Sequence, residues 1–167
     1  SYPLMLKKLD WLQRDLRTGE PHRWACPNNP DFILFYANYL ANHQAATGVD
    51  GYMLDELGFA SRFTCGCQHC RKTFRADMGR RMPSWVGAGG NFESNAYRDM
   101  LRWRAKITPR ALARLMAEIR RVRPDAMNMT YCSDYSDSRI ASRGLDLTLD
   151  AALYASFVGW ENMIAEA

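Results

Sequence analysis

Four cysteines supply the chemistry that this sequence shows most clearly. Cys65, Cys67 and Cys70 fall within six residues of one another, and Cys26 comes from a distant segment. Thiolates this close together repel one another unless a cation or disulfide bonds hold them. A structural zinc ion takes four such donors in a tetrahedron, so the spacing predicts a closed four-cysteine zinc site. Disulfides, a loop of free thiols, and His69 in place of Cys26 remain as alternatives.

Two neighbouring acids, Asp55 and Glu56, end the apolar run 49–54 and precede the first loop cysteine by nine residues. Adjacent side chains on a strand point to opposite faces, so one acid can face a site while the other packs nearby. Cleavage of a glycosidic bond needs an acid that protonates the leaving oxygen and a second carboxylate. Glu56 fits the proton donor. Equally, either acid can cap the next loop or pair with Arg62 or Arg71.

The elements that must position these residues alternate between helix and strand. The predicted helices are 4–16, 30–47, 68–78 and 94–122, the last with a break at Thr108-Pro109, and a helical pattern covers 159–167. The predicted strands are 49–54, 126–131 and 145–149. This alternation predicts an α/β fold with a parallel sheet. In such folds the chemistry collects at the carboxyl ends of the strands.

Apolar residues at helical spacing predict which helix faces are buried. For the helix 4–16 the stripe is Leu6, Leu9, Leu12 and Leu16. For the helix 30–47 it is Phe32, Phe35, Tyr36, Tyr39 and Leu40, which we interpret as core and not as an aromatic binding platform. For the end of the helix 94–122 it is Leu112, Leu115, Met116, Ile119 and Val122.

Polar and aromatic residues follow the later strands as well, and they are candidates for contact with a substrate. They are Tyr131, Asp134, Asp150 and Tyr154. Trp85 lies in the glycine-rich segment 82–93, whose length is typical of lids and substrate walls. A tryptophan there can stack on a sugar ring or pack in the interior.

The composition of the chain limits which classes of binding partner we expect. The 167 residues carry a formal charge of +4 with 22 dispersed basic residues, which does not favour a nucleic-acid partner. No apolar run approaches the ~20 residues of a membrane helix, so no membrane partner is expected. The fifth cysteine, Cys132, is left over, which favours reduced metal ligation over a disulfide framework and thus the cytoplasm. Zinc–thiolate sites also persist outside cells, so the sequence does not decide the compartment. It does not decide the oligomeric state either, and a homo-oligomer is compatible with it.

Several of these segments together resemble glycoside hydrolase family 42, a family of (β/α)8-barrel β-galactosidases, and related barrel glycosidases. The resemblance rests on Cys26-Pro27-Asn28-Asn29-Pro30, on the run 49–56, on the cysteine triplet and on Phe74-Arg75, and it spans roughly 23–154. In that family a Cys-Pro-Asn segment and a cysteine loop hold zinc together, and the acid/base glutamate ends strand 4. The resemblance implies a zinc site at Cys26, Cys65, Cys67 and Cys70, and Glu56 as the acid/base.

Two departures from the family matter. The family's Asn-Glu pair is Asp55-Glu56 here, which alters the usual contact to the sugar 2-hydroxyl. Some related barrel glycosidases use an aspartate at this point as the nucleophile, which would be Asp55. The family's own nucleophile lies on strand 7, and a complete barrel needs about 250 residues.

We therefore interpret residues 1–167 as a single fragment of a (β/α)8 catalytic domain, approximately strands 4 to 6. The expected activity of the whole domain is retaining hydrolysis of terminal, β-galactoside-like bonds in a carbohydrate substrate. The fragment lacks the nucleophile strand and is expected to be inactive alone. The alternative is a zinc-stabilised, non-catalytic module that binds carbohydrate, protein or nucleic acid.

Overall fold

The computed structural model describes residues 7–54, 57–61, 63–84, 94–133 and 157–161, and from residue 130 onward it describes the backbone alone. The predicted strand 145–149 lies outside these residues. The described part is a mixed α/β structure with one antiparallel and one parallel sheet. Within it, no helix combines the length and the apolar character that crossing a membrane would require.

The first sheet is an antiparallel pair, β1 (Leu12–Arg14) and β2 (Pro21–Ala25), which follows the 3-10 turn Leu9–Trp11. The predicted helix 4–16 is therefore wrong over residues 9–14. Leu9 belongs to the predicted stripe but is 47% exposed, whereas Leu12 and its neighbour Gln13 are both buried. A single helical stripe does not produce this pattern. Pairing of β1 with β2, a segment farther along the chain, outweighs the local helical pattern.

Helix α1 (Pro30–Thr47) begins and ends as its local sequence predicts. The Asn29 side chain accepts hydrogen bonds from the backbone N–H groups of Asp31 and Phe32, and Pro30 occupies the first turn, where its missing N–H costs nothing. Gly48 ends the helix in the left-handed conformation, with φ of 74°.

The face that α1 buries agrees only in part with the predicted one. The buried residues are Ile33, Ala37, Leu40, Ala41 and Gln44. Of the predicted stripe, Leu40 is buried and Phe32 and Tyr36 are partly buried against the same cluster, but Phe35 is 39% exposed and Tyr39 is 57% exposed. The buried face thus includes two small alanines and leaves two of the predicted aromatic rings at the surface.

Helices α2 (Gln68–Met78) and α3 (Asn95–Val122) follow. The bounds of α2 are those predicted. The predicted break in α3 is wrong, because the helix runs continuously through Pro109. A proline inside a helix costs about 3 kcal/mol, and the buried residues on both sides of it offset that cost by packing. The predicted stripe of α3 is confirmed except for Val122, which is 52% exposed.

Strands β3 (Gly51–Leu54), β4 (Met127–Ser133) and β5 (Phe157–Glu161) form the parallel sheet in that order. The predicted parallel sheet is thus confirmed, although the described strands form no closed barrel. The helical pattern expected from residue 159 is wrong over 159–161, because Phe157, Val158 and Trp160 favour a strand paired with β4. At Gly51 a Cβ atom would lie 2.1 Å from the Met127 carbonyl oxygen, so glycine permits the pairing with β4.

Two hydrophobic clusters share helix α3. The first contains all four predicted metal ligands together with residues from β1 to the first half of α3: Leu16, Phe59, Phe74, Met82, Tyr97, Met100, Trp103 and Ile107. The second lies between α1, β3 and the last half of α3: Ile33, Ala37, Leu40, Leu54, Ala111, Leu112, Leu115, Met116, Ile119 and Ala126. Helix α3 therefore connects the cysteine region to the parallel sheet.

Candidate metal centre

The four cysteines Cys26, Cys65, Cys67 and Cys70 meet at one point, as the sequence predicts. Cys26 directly follows β2, the next two lie in the loop between β3 and α2, and Cys70 lies in the first turn of α2. All four sulfur atoms lie within 4.8 Å of one another. Four buried donors from two distant segments thus lie close enough to hold a metal ion.

The spacing of the sulfur atoms tests whether a metal ion fits. The Cys26 Sγ atom lies 3.4 Å from Cys70 Sγ and 3.6 Å from Cys67 Sγ. Zinc–sulfur bonds of about 2.3 Å in a tetrahedron place the sulfur atoms about 3.8 Å apart. The cluster fits that arrangement with small adjustments. All four cysteines are free thiols and at most 4% exposed, so an ion held there would have no open position for water.

Nearby N–H groups are placed to stabilise sulfur ligands. The Arg14 backbone N–H donates to Cys65 Sγ at 3.4 Å, and the Cys70 backbone N–H donates to Cys67 Sγ at 3.5 Å. The Asn28 side-chain amide lies 3.9 Å from Cys70 Sγ, at the limit of a hydrogen bond to sulfur. Such donors orient thiolate ligands and favour their charged form.

The thiols also influence one another. Hydrogen bonds from Cys26, Cys65 and Cys70 lower the pKa of Cys67 far below its usual range. Hydrogen bonding to Cys65 and Cys67, together with burial, raises the pKa of Cys26, and burial is the main cause that raises the pKa of Cys70. Because metal ligands must be deprotonated, binding of an ion here would release protons from the thiols whose pKa is raised, Cys26 and Cys70.

Arg71 fixes the loop that carries the cysteines. Its Nε donates to the Gly66 carbonyl at 2.8 Å, and its guanidinium also donates to the Leu16 carbonyl at 3.0 Å. Arg71 thereby links the cysteine loop to the segment after β1. The sequence offered Arg71 as a partner for a strand-end acid. In the structure its guanidinium holds two backbone carbonyl oxygens, a structural role that the sequence did not predict.

Arg104 is a buried cation beside the cluster that sequence reasoning missed. It is 1% exposed, donates to the Thr64 carbonyl oxygen, and lies 5.2 Å from the Phe59 ring centroid. Burial lowers the pKa of Arg104 to about 10, and charge interactions with Cys70 and Cys65 oppose that shift. It remains charged at neutral pH and adds positive charge where sulfur ligands carry negative charge. An arginine on the buried face of an amphipathic helix is the signal that could have revealed it.

The remaining predicted site residues are untested. Six of them lie outside the described residues: Asp55, Glu56, Trp85, Asp134, Asp150 and Tyr154. Tyr131 lies within β4, paired with Gly159 of β5, and its side chain is not described. Among the described residues, His69 is absent from the group of metal-binding side chains, so the structure favours Cys26 as the fourth ligand.

Comparison with known proteins shows a likeness in fold. No known protein family matches the sequence, and no curated protein does. The crystal structure of a β-galactosidase from Bacillus circulans sp. alkalophilus is similar to this chain, with a TM-score of 0.66 at 17% sequence identity. The match covers 98% of this chain and 29% of the β-galactosidase chain, so this chain spans less than a third of its structural neighbour.

Proposed function

We propose that this chain is part of the catalytic domain of a glycoside hydrolase, approximately strands 4 to 6 of a (β/α)8 barrel. The domain cleaves terminal, β-galactoside-like bonds with retention of configuration. Glu56 acts as the acid/base and Asp55 orients the substrate, while the nucleophile comes from a strand beyond this chain. Side chains of the later strand ends and the long loop contact the sugar: Tyr131, Asp134, Asp150, Tyr154 and Trp85.

The observation that carries this proposal is the buried cysteine cluster in the loop that directly follows strand β3. Leu54, the last described residue of β3, precedes the two acids, and Cys65 follows them by nine residues. A closed metal site here organises the loop without taking part in chemistry. The likeness in fold to a β-galactosidase supports the same assignment.

In this proposal Cys26, Cys65, Cys67 and Cys70 hold a structural zinc ion. Zinc supplies a cross-link between the end of β2 and the loop after β3, and it supplies no catalytic group. The catalytic work belongs to the strand-end acids: Glu56 donates its proton to the leaving oxygen, and then removes a proton from the attacking water.

The test is hydrolysis of a panel of aryl glycosides by the full-length protein and by its Glu56→Gln variant. We expect Glu56→Gln to keep much of its activity on substrates with activated leaving groups, which need no proton. On unactivated substrates the rate should fall by about 10²–10⁴-fold, the usual contribution of a general acid. Glu118→Gln is the matched control, since Glu118 lies on α3 and pairs with Arg121.

Two outcomes would change the assignment. If Asp55→Asn abolishes turnover on every substrate while Glu56→Gln does not, Asp55 is the nucleophile and the protein belongs with other barrel glycosidases. If Glu56→Gln and Glu118→Gln behave alike on unactivated substrates, Glu56 is not the acid.

A second candidate function is a zinc-stabilised module without catalysis, which binds carbohydrate, protein or nucleic acid. The observation that favours it is that four cysteines supply every ligand of a closed structural site, so the site itself needs no catalytic residue. Absence of hydrolysis by the metal-loaded, full-length protein on the whole panel would favour this function.

A further inference from the structure

Gln13 is a fully buried polar residue in β1 whose amide makes every hydrogen bond available to it. Its Nε2 donates to the Ala25 carbonyl at 2.9 Å and to the Gly58 carbonyl at 2.8 Å. Its Oε1 accepts from the Ala60 backbone N–H at 3.0 Å and from the Thr64 hydroxyl at 2.8 Å. Two donors and two acceptor positions are thus all satisfied.

The partners of Gln13 lie at three functionally distinct points of the chain. Ala25 is the residue before Cys26, and Thr64 is the residue before Cys65. Gly58 and Ala60 begin the segment that leaves the strand-end acids. One side chain therefore connects both arms of the metal centre with the loop between the acids and the first loop cysteine.

We propose that Gln13 is a positioning residue that couples the two arms of the metal centre to the segment 57–61, which follows the strand-end acids in the sequence. The bearing of this link on the acids rests on the proposed function. Before the acids, Leu54 is paired with Thr130 in the parallel sheet. After them, among the described residues, the Gly58 carbonyl accepts a hydrogen bond from Gln13. Loss of that bond removes an anchor from the segment that follows the acids.

The buried location makes this link hard to replace. Without the amide, the carbonyls of Ala25 and Gly58, the Ala60 N–H and the Thr64 hydroxyl lose a partner in a region with little access to water. Buried polar groups are costly when unpaired, so the segment 57–64 shifts to recover hydrogen bonds. That shift moves Cys65 away from Cys26.

The experiment compares Gln13→Met with Gln44→Met in the full-length protein. Gln44 is equally buried but lies on α1, away from the cysteine loop in the sequence, and within the described part of the chain neither of its amide atoms has a hydrogen-bond partner. We expect Gln13→Met to weaken zinc binding on the order of tenfold, the usual effect of losing a supporting contact. Zinc affinity is measured by competition with a chromogenic chelator, and Gln44→Met should leave it unchanged.

Amide hydrogen exchange provides the second readout. Gln13→Met should speed exchange in residues 57–65 without speeding exchange in α1, and Thr64→Val should do the same to a smaller extent. Thr64→Val keeps the side-chain shape and removes one of the four bonds, so it serves if Gln13→Met fails to fold. Unchanged zinc affinity and unchanged exchange of this segment in a folded variant would overturn the proposal.

Activity distinguishes this inference from the proposed function. If the protein hydrolyses glycosides, Gln13→Met should lower kcat/KM, because the segment that loses its anchor directly follows Asp55 and Glu56 in the sequence. If it hydrolyses none, the proposed function fails, and the effects on zinc affinity and on exchange still test the link to the metal centre. If the protein hydrolyses glycosides but Gln13→Met keeps wild-type zinc affinity and wild-type amide exchange, this inference alone is wrong.

Discussion

Cys26 is the metal ligand that contributes most to linking distant parts of the chain, because the other three lie within one short loop. We expect Cys26→Ser to reduce bound zinc from about one ion per chain to a small fraction, since three thiolates leave a tetrahedral site open to water and to chelators. Metal analysis after purification under reducing conditions measures this. Cys132→Ser is the control and should keep its metal. A fully loaded Cys26→Ser variant would contradict the assignment of the fourth ligand.

The cysteines could be found from the sequence because metal ligation needs particular residue types at close spacing. Gln13 and Arg104 could not be found in the same way. Their roles depend on burial and on partners 40 or more residues away, such as Gly58 for the first and Thr64 for the second. A glutamine or an arginine is common on protein surfaces, so residue type alone carries no signal.

At the scale of elements, Asn29 determines where α1 begins and joins it to the preceding turn. Its side-chain oxygen accepts from Asp31 and Phe32, and its Nδ2 donates to the Asp10 carbonyl at 3.0 Å. We expect Asn29→Ala to lower the free energy of unfolding by about 1–3 kcal/mol, from the lost cap and the lost hydrogen bond to the Asp10 carbonyl. Denaturant unfolding measures this.

A serine at this position separates the two contributions. Asn29→Ser keeps a capping oxygen but loses the amide donor, so its loss of stability should be smaller than that of Asn29→Ala. Asn42→Ala, at an exposed position of α1, should be nearly neutral. Equal stabilities for Asn29→Ala and Asn42→Ala would mean that the cap contributes nothing.

The bounds of α1 and α2 could be predicted because capping residues act on their own helix. The buried face of α1 could be predicted only in part. Aromatic residues at helical spacing predict an apolar stripe, yet which stripe faces inward depends on the neighbours, and here the buried positions include the small residues Ala37 and Ala41. The strands β1 and β2 were not predicted for a related reason, since each is short and is stabilised by the other.

For the molecule as a whole, the metal site and the parallel sheet belong to different hydrophobic clusters joined by α3. The first cluster contains the four cysteines. Without a metal ion, the segment that carries Cys26 and the loop that carries the other three cysteines are joined by packing and a few hydrogen bonds. The second cluster holds α1, β3 and the last half of α3 without any cysteine.

This division predicts a local response to metal removal. Chelation of zinc should speed amide exchange in β1, β2, α2 and the first half of α3, and should leave α1 and the last half of α3 protected, because local opening follows the contacts that are lost. Cys26→Ser is the control, since it should exchange rapidly in the first cluster before chelator is added and should not change afterwards. Loss of protection throughout both clusters at the same chelator concentration would mean that the metal stabilises the molecule as one cooperative unit. In that case α3 transmits the effect of the metal to the sheet, and the two clusters do not unfold separately.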